Sequence, residues 1–246
     1  MKISIITATY NSESTLPATL RSIVEQTFQS IEHIIIDGAS TDSTLSIIRD
    51  YAAQHPGVTY LSEKDNGIYS AINKGVSLAT GDVIGILNSD DILADNSVLQ
   101  TIAKAFSHTG TQAVYGDLMY CKGDSIIRYW KSNPFDMREL RFGWMPAHPT
   151  FYCRREVYNA LGHYDEHLRI SADYDFMLRV LKHGYHAEYI PKVLVKMQLG
   201  GISNRSPRTM WRKSCEDVVA LRNNHVGCGW LTIFVKNIRK IAQFIR

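Results

Sequence analysis

Cysteine is scarce and unclustered: Cys121, Cys153, Cys215 and Cys228 are the four in 246 residues, and none stand in a C-x-x-C spacing. That argues against zinc-ribbon and dithiol frameworks and fits reduced thiols in a cytosolic protein. Long hydrophobic runs are missing too. The first apolar run is broken by Thr7 and Thr9, too short for the core of a secretion signal. Nothing approaches the roughly 20 apolar residues that a spanning helix needs, so the expectation is a cytoplasmic chain. No G-x-G-x-x-G follows an apolar run, which disfavours a dinucleotide-dependent oxidoreductase. A dominant charge is absent as well. The net charge is +3, and residues 229–246 hold Lys236, Arg239, Lys240 and Arg246 with no acid, leaving the rest at −1. No nucleic acid partner is expected from that balance.

What is present is an ordinary globular composition, 45% hydrophobic and 21% charged, in a chain long enough for one sizeable α/β domain with an appendage. Strand patterns at residues 3–7, 31–37, 58–62 and 83–87 alternate with helical spacings. The first helix carries Leu16, Leu20, Ile23 and Val24 after Ser12, Ser14 and Pro17. The second carries Leu45, Ile48 and Tyr51 with Ser40 or Thr41 as its cap. The third carries Ile68, Ile72, Val76 and Ala79. Such regular alternation predicts right-handed βαβ units and a parallel, nucleotide-binding type of sheet over residues 1–91.

The second half is less regular. The pattern predicts a helix over 98–106, a hairpin of 113–120 with 125–130 turning at Lys122-Gly123-Asp124, and a long loop over 132–150. Short helices follow at 155–161 and 174–183, then a strand at 193–198, a Gly200-Gly201 loop, and helices at 207–226 and 230–245.

Each early strand ends in polar residues that a parallel sheet brings to its carboxyl edge, where open α/β sheets bind ligands. These ends are Thr7-Ala8-Thr9-Tyr10-Asn11, Asp37-Gly38-Ala39-Ser40-Thr41-Asp42, Glu63-Lys64-Asp65-Asn66-Gly67 and Asn88-Ser89-Asp90-Asp91. Carboxylates crowded at one edge repel unless a cation or hydrogen-bonding ligand joins them. Hard oxygen donors of this kind suit Mg²⁺ or Mn²⁺ and, through it, a diphosphate. Read alone, Ser40, Thr41, Asp42 and the Asn88–Asp91 turn are equally helix caps.

In order and spacing these segments resemble the family 2 glycosyltransferases of GT-A fold, including bacterial surface-polysaccharide transferases of the colanic-acid type. The resemblance runs on through Asn73-Lys74-Gly75, His148-Pro149-Thr150-Phe151, Leu161-Gly162-His163-Tyr164-Asp165 and Ser171-Ala172-Asp173-Tyr174-Asp175. It implies a Rossmann-like, mostly parallel sheet flanked by helices over residues 1–205, with a nucleotide half at 1–91, an acceptor half at 92–205 and a helical extension at 206–246.

The resemblance also implies roles. Thr7, Thr9, Tyr10, Asp37 and Asp65 would hold the nucleoside, and Asp90 the ribose or a divalent metal, with Asp91 beside it. Asp173 would be the base that deprotonates an acceptor hydroxyl, and Asp175 is its fallback; as a plain residue, Asp173 reads as the N-cap of the helix it opens. His148 either lines the acceptor site, approaches the diphosphate or is structural. Asn88 stands where the family often has the first acid of an Asp-x-Asp, which weakens the charge available to a metal.

The implied reaction is inverting transfer of one sugar from a nucleotide-sugar donor, UDP-linked by expectation, to a glycan or lipid-linked glycan. A catalytically weak nucleotide-sugar-binding or scaffold protein is the rival. A nucleotidyltransferase is disfavoured, since Thr7–Ser12 has neither a Gly-rich loop nor an Arg. No Gln-x-x-Arg-Trp follows Gln198, which disfavours processive extension. Residues 229–246 are amphipathic and basic; they lie on a membrane surface, or they pack on the protein or in a dimer.

Overall fold

The computed structural model describes residues 1–123, 125–198 and 207–241. Its centre is a sheet in which β1 (Ile3–Thr9) lies between β2 (Ile31–Asp37) and β4 (Val83–Ile86), with β3 (Val58–Ser62) outside β2, all parallel. The sheet continues from β4 through β8 (Tyr152–Arg154), β6 (Ala113–Lys122), β9 (Ala187–Gln198) and β5 (Asp91–Leu93), and β7 (Ser125–Trp130) pairs with β6. In this second half only the β6–β9 pairing is parallel. The chain has an α/β fold with the parallel order concentrated in the first half.

Alternation along the strands divides the core. Ile3, Ile5, Val83 and Leu87 face α1 (Leu16–Val24) and α4 (Val98–Ala105), meeting Ile23, Leu99 and Ile102. Ile6, Ile34, Ile36, Ile84 and Ile86 face the opposite layer, where α3 (Ile68–Leu78), α5 (Arg155–Leu161) and α6 (Ala172–Lys182) supply Ile72, Tyr158 and Phe176. Period-two side-chain direction makes each strand serve both layers. Helix α3 lies close against β1 because Gly75 has no side chain; a Cβ there would collide with Ile6.

Several boundaries differ from the sequence reading. α2 (Thr44–Gln54) begins after Ser43, not Ser40 or Thr41; Asp42 Oδ1 accepts the Thr44 N–H at 3.0 Å. Residues 137–142 and 148–150 form 3₁₀ turns inside the expected long loop. The strand expected from Val193 starts at Ala187. Asp124 and the Gly200-Gly201 loop lie outside the described residues. α7 (Pro207–Asn223) packs on α6, and α8 (Trp230–Ile241) packs on α7 and the 137–142 turn.

Candidate functional site

The loops after β1 and β2 are fastened to each other at the carboxyl edge. Gly38 N–H donates to the Thr9 carbonyl (2.9 Å), Asn11 N–H to Ser40 Oγ (2.8 Å), and Thr41 N–H to Asn11 Oδ1 (2.9 Å). Both turns use left-handed non-glycine residues, Asn11 at φ 48° and Ala39 at φ 60°. Backbone held there is costly and persists only when its surroundings fix it.

Asp37 supplies much of that fixing. It is 0% exposed. Its Oδ1 accepts from Ser40 Oγ (2.5 Å), its Oδ2 from Ser62 Oγ (2.6 Å), and both face Ser40 N–H. Ser40 is thus a partner of Asp37 and not a helix cap. Asp37 thereby clamps the β2 loop to the end of β3.

Thr7 likewise points inward. It is fully buried and bonds His33 Nε2 at 3.0 Å. Tyr10, in contrast, is 62% exposed. Its ring, the open side of Gly38 and Asp65 converge: a Cβ on Gly38 would stand 3.4 Å from Tyr10 Cδ2 and 3.5 Å from Asp65 Oδ2. Thr9 Oγ1 and Asp65 Oδ2 are both buried without a hydrogen-bond partner. The orphaned Asp65 oxygen beside an exposed aromatic face gives a small polar socket under a stacking platform, which suits a planar heterocycle.

The Asn73-Lys74-Gly75 run holds this socket from below. Lys74 Nζ bridges Asp65 (2.5 Å) and Glu63 (2.6 Å), and the two carboxylates raise its pKa. Asn73 faces the other way: it donates to the Tyr164 carbonyl (2.9 Å) and accepts the Tyr164 N–H (3.0 Å). One turn of α3 therefore ties the loop after β3 to the segment leading into α6.

At the end of β4, Ser89 Oγ meets Ser12 Oγ at 2.9 Å, joining this loop to the one after β1. Asp90 is partly exposed, whereas Asp91 is 0% exposed and starts β5. Asn88 Nδ2 donates to Asp91 Oδ2 (2.9 Å), and Asp91 Oδ1 has no hydrogen-bond partner. Burial, with the neighbouring Asp90 charge, pushes the Asp91 carboxyl up to about 8 against the pull of the Asn88 bond. Asp91 thus stands behind Asn88 and orients its amide, a different position from the side-by-side pair with Asp90 that its sequence suggests. Among the described residues no three His, Cys, Asp or Glu side chains gather as a metal cage.

Across the cleft, Ser171 is the residue before α6, so Asp173 lies inside the first turn and is not the N-cap. Its Oδ1 accepts from Tyr69 OH (3.1 Å) and from Tyr174 N–H (2.8 Å). Tyr69 belongs to α3, so the first half of the chain reaches Asp173 directly. Burial and then the Asp173 charge raise the Tyr69 pKa well above its ordinary value. Asp175 is buried, salt-bridged to Arg179 (2.9 Å) and bonded by Asn224 Nδ2 (2.8 Å), which makes it a structural acid and removes the fallback. His148 Nε2 meets Tyr164 OH at 3.1 Å, with the rings edge to face. Burial lowers the His148 pKa, opposed by the charge of Asp173.

Sequence reasoning missed Tyr69 and Tyr120. Tyr69's only signal was an aromatic in the first turn after Asp65-Asn66-Gly67. Tyr120 lies in one cross-strand row, Asp91–Met197–Tyr120–Arg128, whose side chains share a face. The Arg128 guanidinium sits 4.9 Å from the Tyr120 ring centre and 5.3 Å from that of Trp130. Burial raises the Tyr120 pKa; Arg128 and Lys213 oppose the rise, and Asp91 and Asp173 add to it. Tyr120 therefore lies within electrostatic reach of both sides of the cleft. By contrast, a cavity of about 580 Å³ beside Met1, Phe28 and Lys104 lies away from these loops and gathers no opposing charges.

Comparison with known proteins gives this edge its family. The profile described as Glycosyl transferase family 2 matches residues 4–174. The chain belongs to that family. A PGL/p-HBAD biosynthesis glycosyltransferase of Mycobacterium bovis is 33% identical over 205 residues, covering 82% of this chain and 78% of the relative. Chondroitin synthase of Escherichia coli is 29% identical over 74% of this chain, which spans 27% of that longer protein. Among solved structures, S. aureus TarS 1-349 in complex with UDP-GlcNAc superimposes with a TM-score of 0.70 at 18% identity, over 96% of this chain and 70% of TarS 1-349. The Pyrobaculum calidifontis mannosyltransferase PcManGT, in complex with GDP-Man and Mn²⁺, gives 0.68 at 20% identity, over 98% of this chain and 73% of that one. The family 2 glycosyltransferase fold is GT-A, as the sequence motifs implied.

Proposed function

We propose that this family 2 member is an inverting, non-processive glycosyltransferase moving one sugar from a nucleotide-sugar donor to a hydroxyl of a glycan or lipid-linked glycan, in surface polysaccharide synthesis. A UDP-sugar is the preferred donor. TarS binds UDP-GlcNAc and PcManGT binds GDP-Man with Mn²⁺, and the Mycobacterium bovis relative is named for PGL/p-HBAD biosynthesis. The working location is the cytoplasm or the inner membrane face; no described helix is long and apolar enough to cross a membrane. Residues 1–91 carry the donor, 92–205 the acceptor, and 206–246 form the extension.

The observation carrying this reading is the placement of Asp173. Its hydrogen bonds from Tyr69 and Tyr174 both fall on Oδ1, and Oδ2 faces no described donor. In a single displacement the acceptor oxygen attacks the anomeric carbon and its proton passes to Asp173. The bond from that carbon to the diphosphate oxygen breaks, and the electron pair leaves with the diphosphate. Tyr10, Gly38, Thr9 and Asp65 receive the nucleoside, Asp37 and Thr7 hold its loop and strand, and His148 with Tyr164 forms the wall beside Asp173.

A small divalent cation fits here. Mg²⁺ and Mn²⁺ bind through one or two carboxylates and keep the remaining positions for water and phosphate. Asp90 supplies one charged donor and Asn88 a neutral oxygen already oriented by Asp91. When bound, such an ion would neutralise charge on the diphosphate.

The test is single-turnover release of nucleoside diphosphate from a UDP-sugar panel with an acceptor extract, comparing the native chain with Asp173→Asn. The variant is expected to keep donor-induced thermal stabilisation and lose release by at least about 10²-fold. Undiminished release in the variant removes Asp173 from the mechanism. Stabilisation without release in the native chain favours the scaffold reading that Asn88 leaves open.

A further inference from the structure

The two C-terminal helices present one face to the protein and a chemically different one to solvent. On α8, Thr232, Ile233 and Lys236 are buried, while Trp230, Leu231, Phe234 and Ile238 are 46%, 62%, 63% and 51% exposed. At about 100° per residue the exposed four fall within a stripe of about 100°, opposite the buried three. The inner face is anchored. Lys236 Nζ pairs with Asp217 of α7 at 2.9 Å, both side chains being 3% exposed, and stands 3.5 Å over the Tyr174 ring. Thr232 Oγ1 donates to the Arg141 carbonyl (2.9 Å), and Arg239 pairs with Glu139 (2.6 Å). The helix is therefore fixed in rotation, and its apolar stripe is held outward. α7 extends the stripe with Met210 (56%) and Trp211 (65%), the latter stacked on Trp230 at 5.4 Å.

We infer that this outward face of α7 and α8 docks the protein on the interfacial zone of an anionic lipid bilayer. Charge selects that occupant. Residues 207–246 contain eight Lys and Arg against Glu216 and Asp217, a net +6 in a chain whose total is +3, so residues 1–206 are at −3. A second copy docked here would bring two such basic segments together. An anionic headgroup layer is complementary to such a segment, and paired Trp rings favour the interfacial depth. Exposed Arg208 and Arg222 on these helices can reach headgroups.

The surface is also coupled to the cleft. Glu216 of α7 accepts Ile170 N–H (2.7 Å) and Ser171 N–H (3.1 Å), the two residues before α6 and Asp173. Docking through α7 would bring the acceptor side of the cleft close to the bilayer, where a lipid-linked hydroxyl arrives. Lipid binding itself does not depend on transfer being the activity.

The test is sedimentation of the full chain with vesicles of equal parts phosphatidylglycerol and phosphatidylcholine, and with phosphatidylcholine alone. Binding should be at least about tenfold tighter to the anionic vesicles and weaken in high salt. The Leu231→Glu/Phe234→Glu double variant should lose at least about tenfold in binding while its thermal midpoint and its stabilisation by nucleotide sugar stay unchanged. Lack of vesicle binding by the native chain overturns the proposal, and so does undiminished binding of the variant. A native dimer that the variant converts to monomer overturns it in favour of self-association.

Discussion

A carboxylate that takes a proton needs an oxygen its own helix does not consume, and the first turn of α6 treats its two acids differently on that point. Asp175 is spent on Arg179 and Asn224, whereas Asp173 receives its bonds at Oδ1. Tyr69 then becomes a positioning residue: its hydroxyl also contacts the Ile170 carbonyl (2.8 Å), so it fixes both the turn and the acid. A hydrogen bond donated to the carboxylate fixes its orientation, so removing it loosens the geometry in which the acid meets an acceptor hydroxyl. Tyr69→Phe is expected to lower kcat by roughly 3- to 10-fold, the worth of one hydrogen bond, with the donor KM little changed. A purely structural role for Tyr69 would instead lower the thermal midpoint and shift the donor KM along with kcat. The roles of Asp37 and Thr7 were legible only as membership of the site. Their direction was not, because a sequence does not say whether a polar group at a strand end faces solvent or finds Ser40, Ser62 or His33 inside.

At the level of elements, the first half was legible because strands buried on both faces leave continuous apolar runs and the intervening helices leave a 3.6-residue period. The second half was written less plainly. Pro191 argues against a strand interior, yet β9 runs from Ala187 through it, and the register against β6 shifts between Tyr115 and Asp117 and again before Leu118. The irregularity accommodates the proline. β5 has three residues, too few for a period, so Asp91 read as loop. The Asn73-Lys74-Gly75 motif shows how a family signature compresses tertiary demands. Asn73 holds the 164 segment, Lys74 holds Asp65, and Gly75 lets α3 touch β1. Gly75→Ala has a favourable helix propensity and an unfavourable contact with Ile6. Overpacking costs about 1–3 kcal/mol, more than the roughly 1 kcal/mol that alanine gains over glycine in a helix. Urea unfolding should therefore show net destabilisation; a stabilised variant would mean that α3 shifts outward freely.

For the molecule as a whole, buried histidine should erode stability on the acid side of the profile. His33 lies in β2, its Nε2 against Thr7 Oγ1 and its Nδ1 3.2 Å from Tyr51 OH on α2. Burial, and secondarily the nearby His55, lowers its pKa from 6.5 to about 3. Above pH 6.5 both folded and unfolded states hold it neutral and its contribution is fully present. Between pH 6.5 and 3 the unfolded chain binds a proton that the native chain refuses, so stability falls as pH falls, by about 1.4 kcal/mol per pH unit for one proton. His148, whose pKa burial also lowers, adds to the same slope. Glu32 enters later. Burial would raise its pKa, but bonds from Lys2, Ser4 and Thr80 hold it at about 2, so its share fades below pH 4.5. Asp91, pushed up to about 8, works the other way across the window from pH 6.5 to 4.5, because there the native chain binds a proton that the unfolded chain does not. The histidine share is therefore read as the difference in slope between a histidine variant and the native chain. His33→Gln should be less stable than the native chain at pH 7.5, with about one proton less slope in urea midpoints across that window. An unchanged slope would place the acid sensitivity elsewhere. Because the native chain keeps His33 neutral down to about pH 3, its bond to Thr7 persists across the window and the strand that carries Thr9 and Tyr10 stays seated. His33 should therefore cost stability there without lowering the donor affinity of the folded chain.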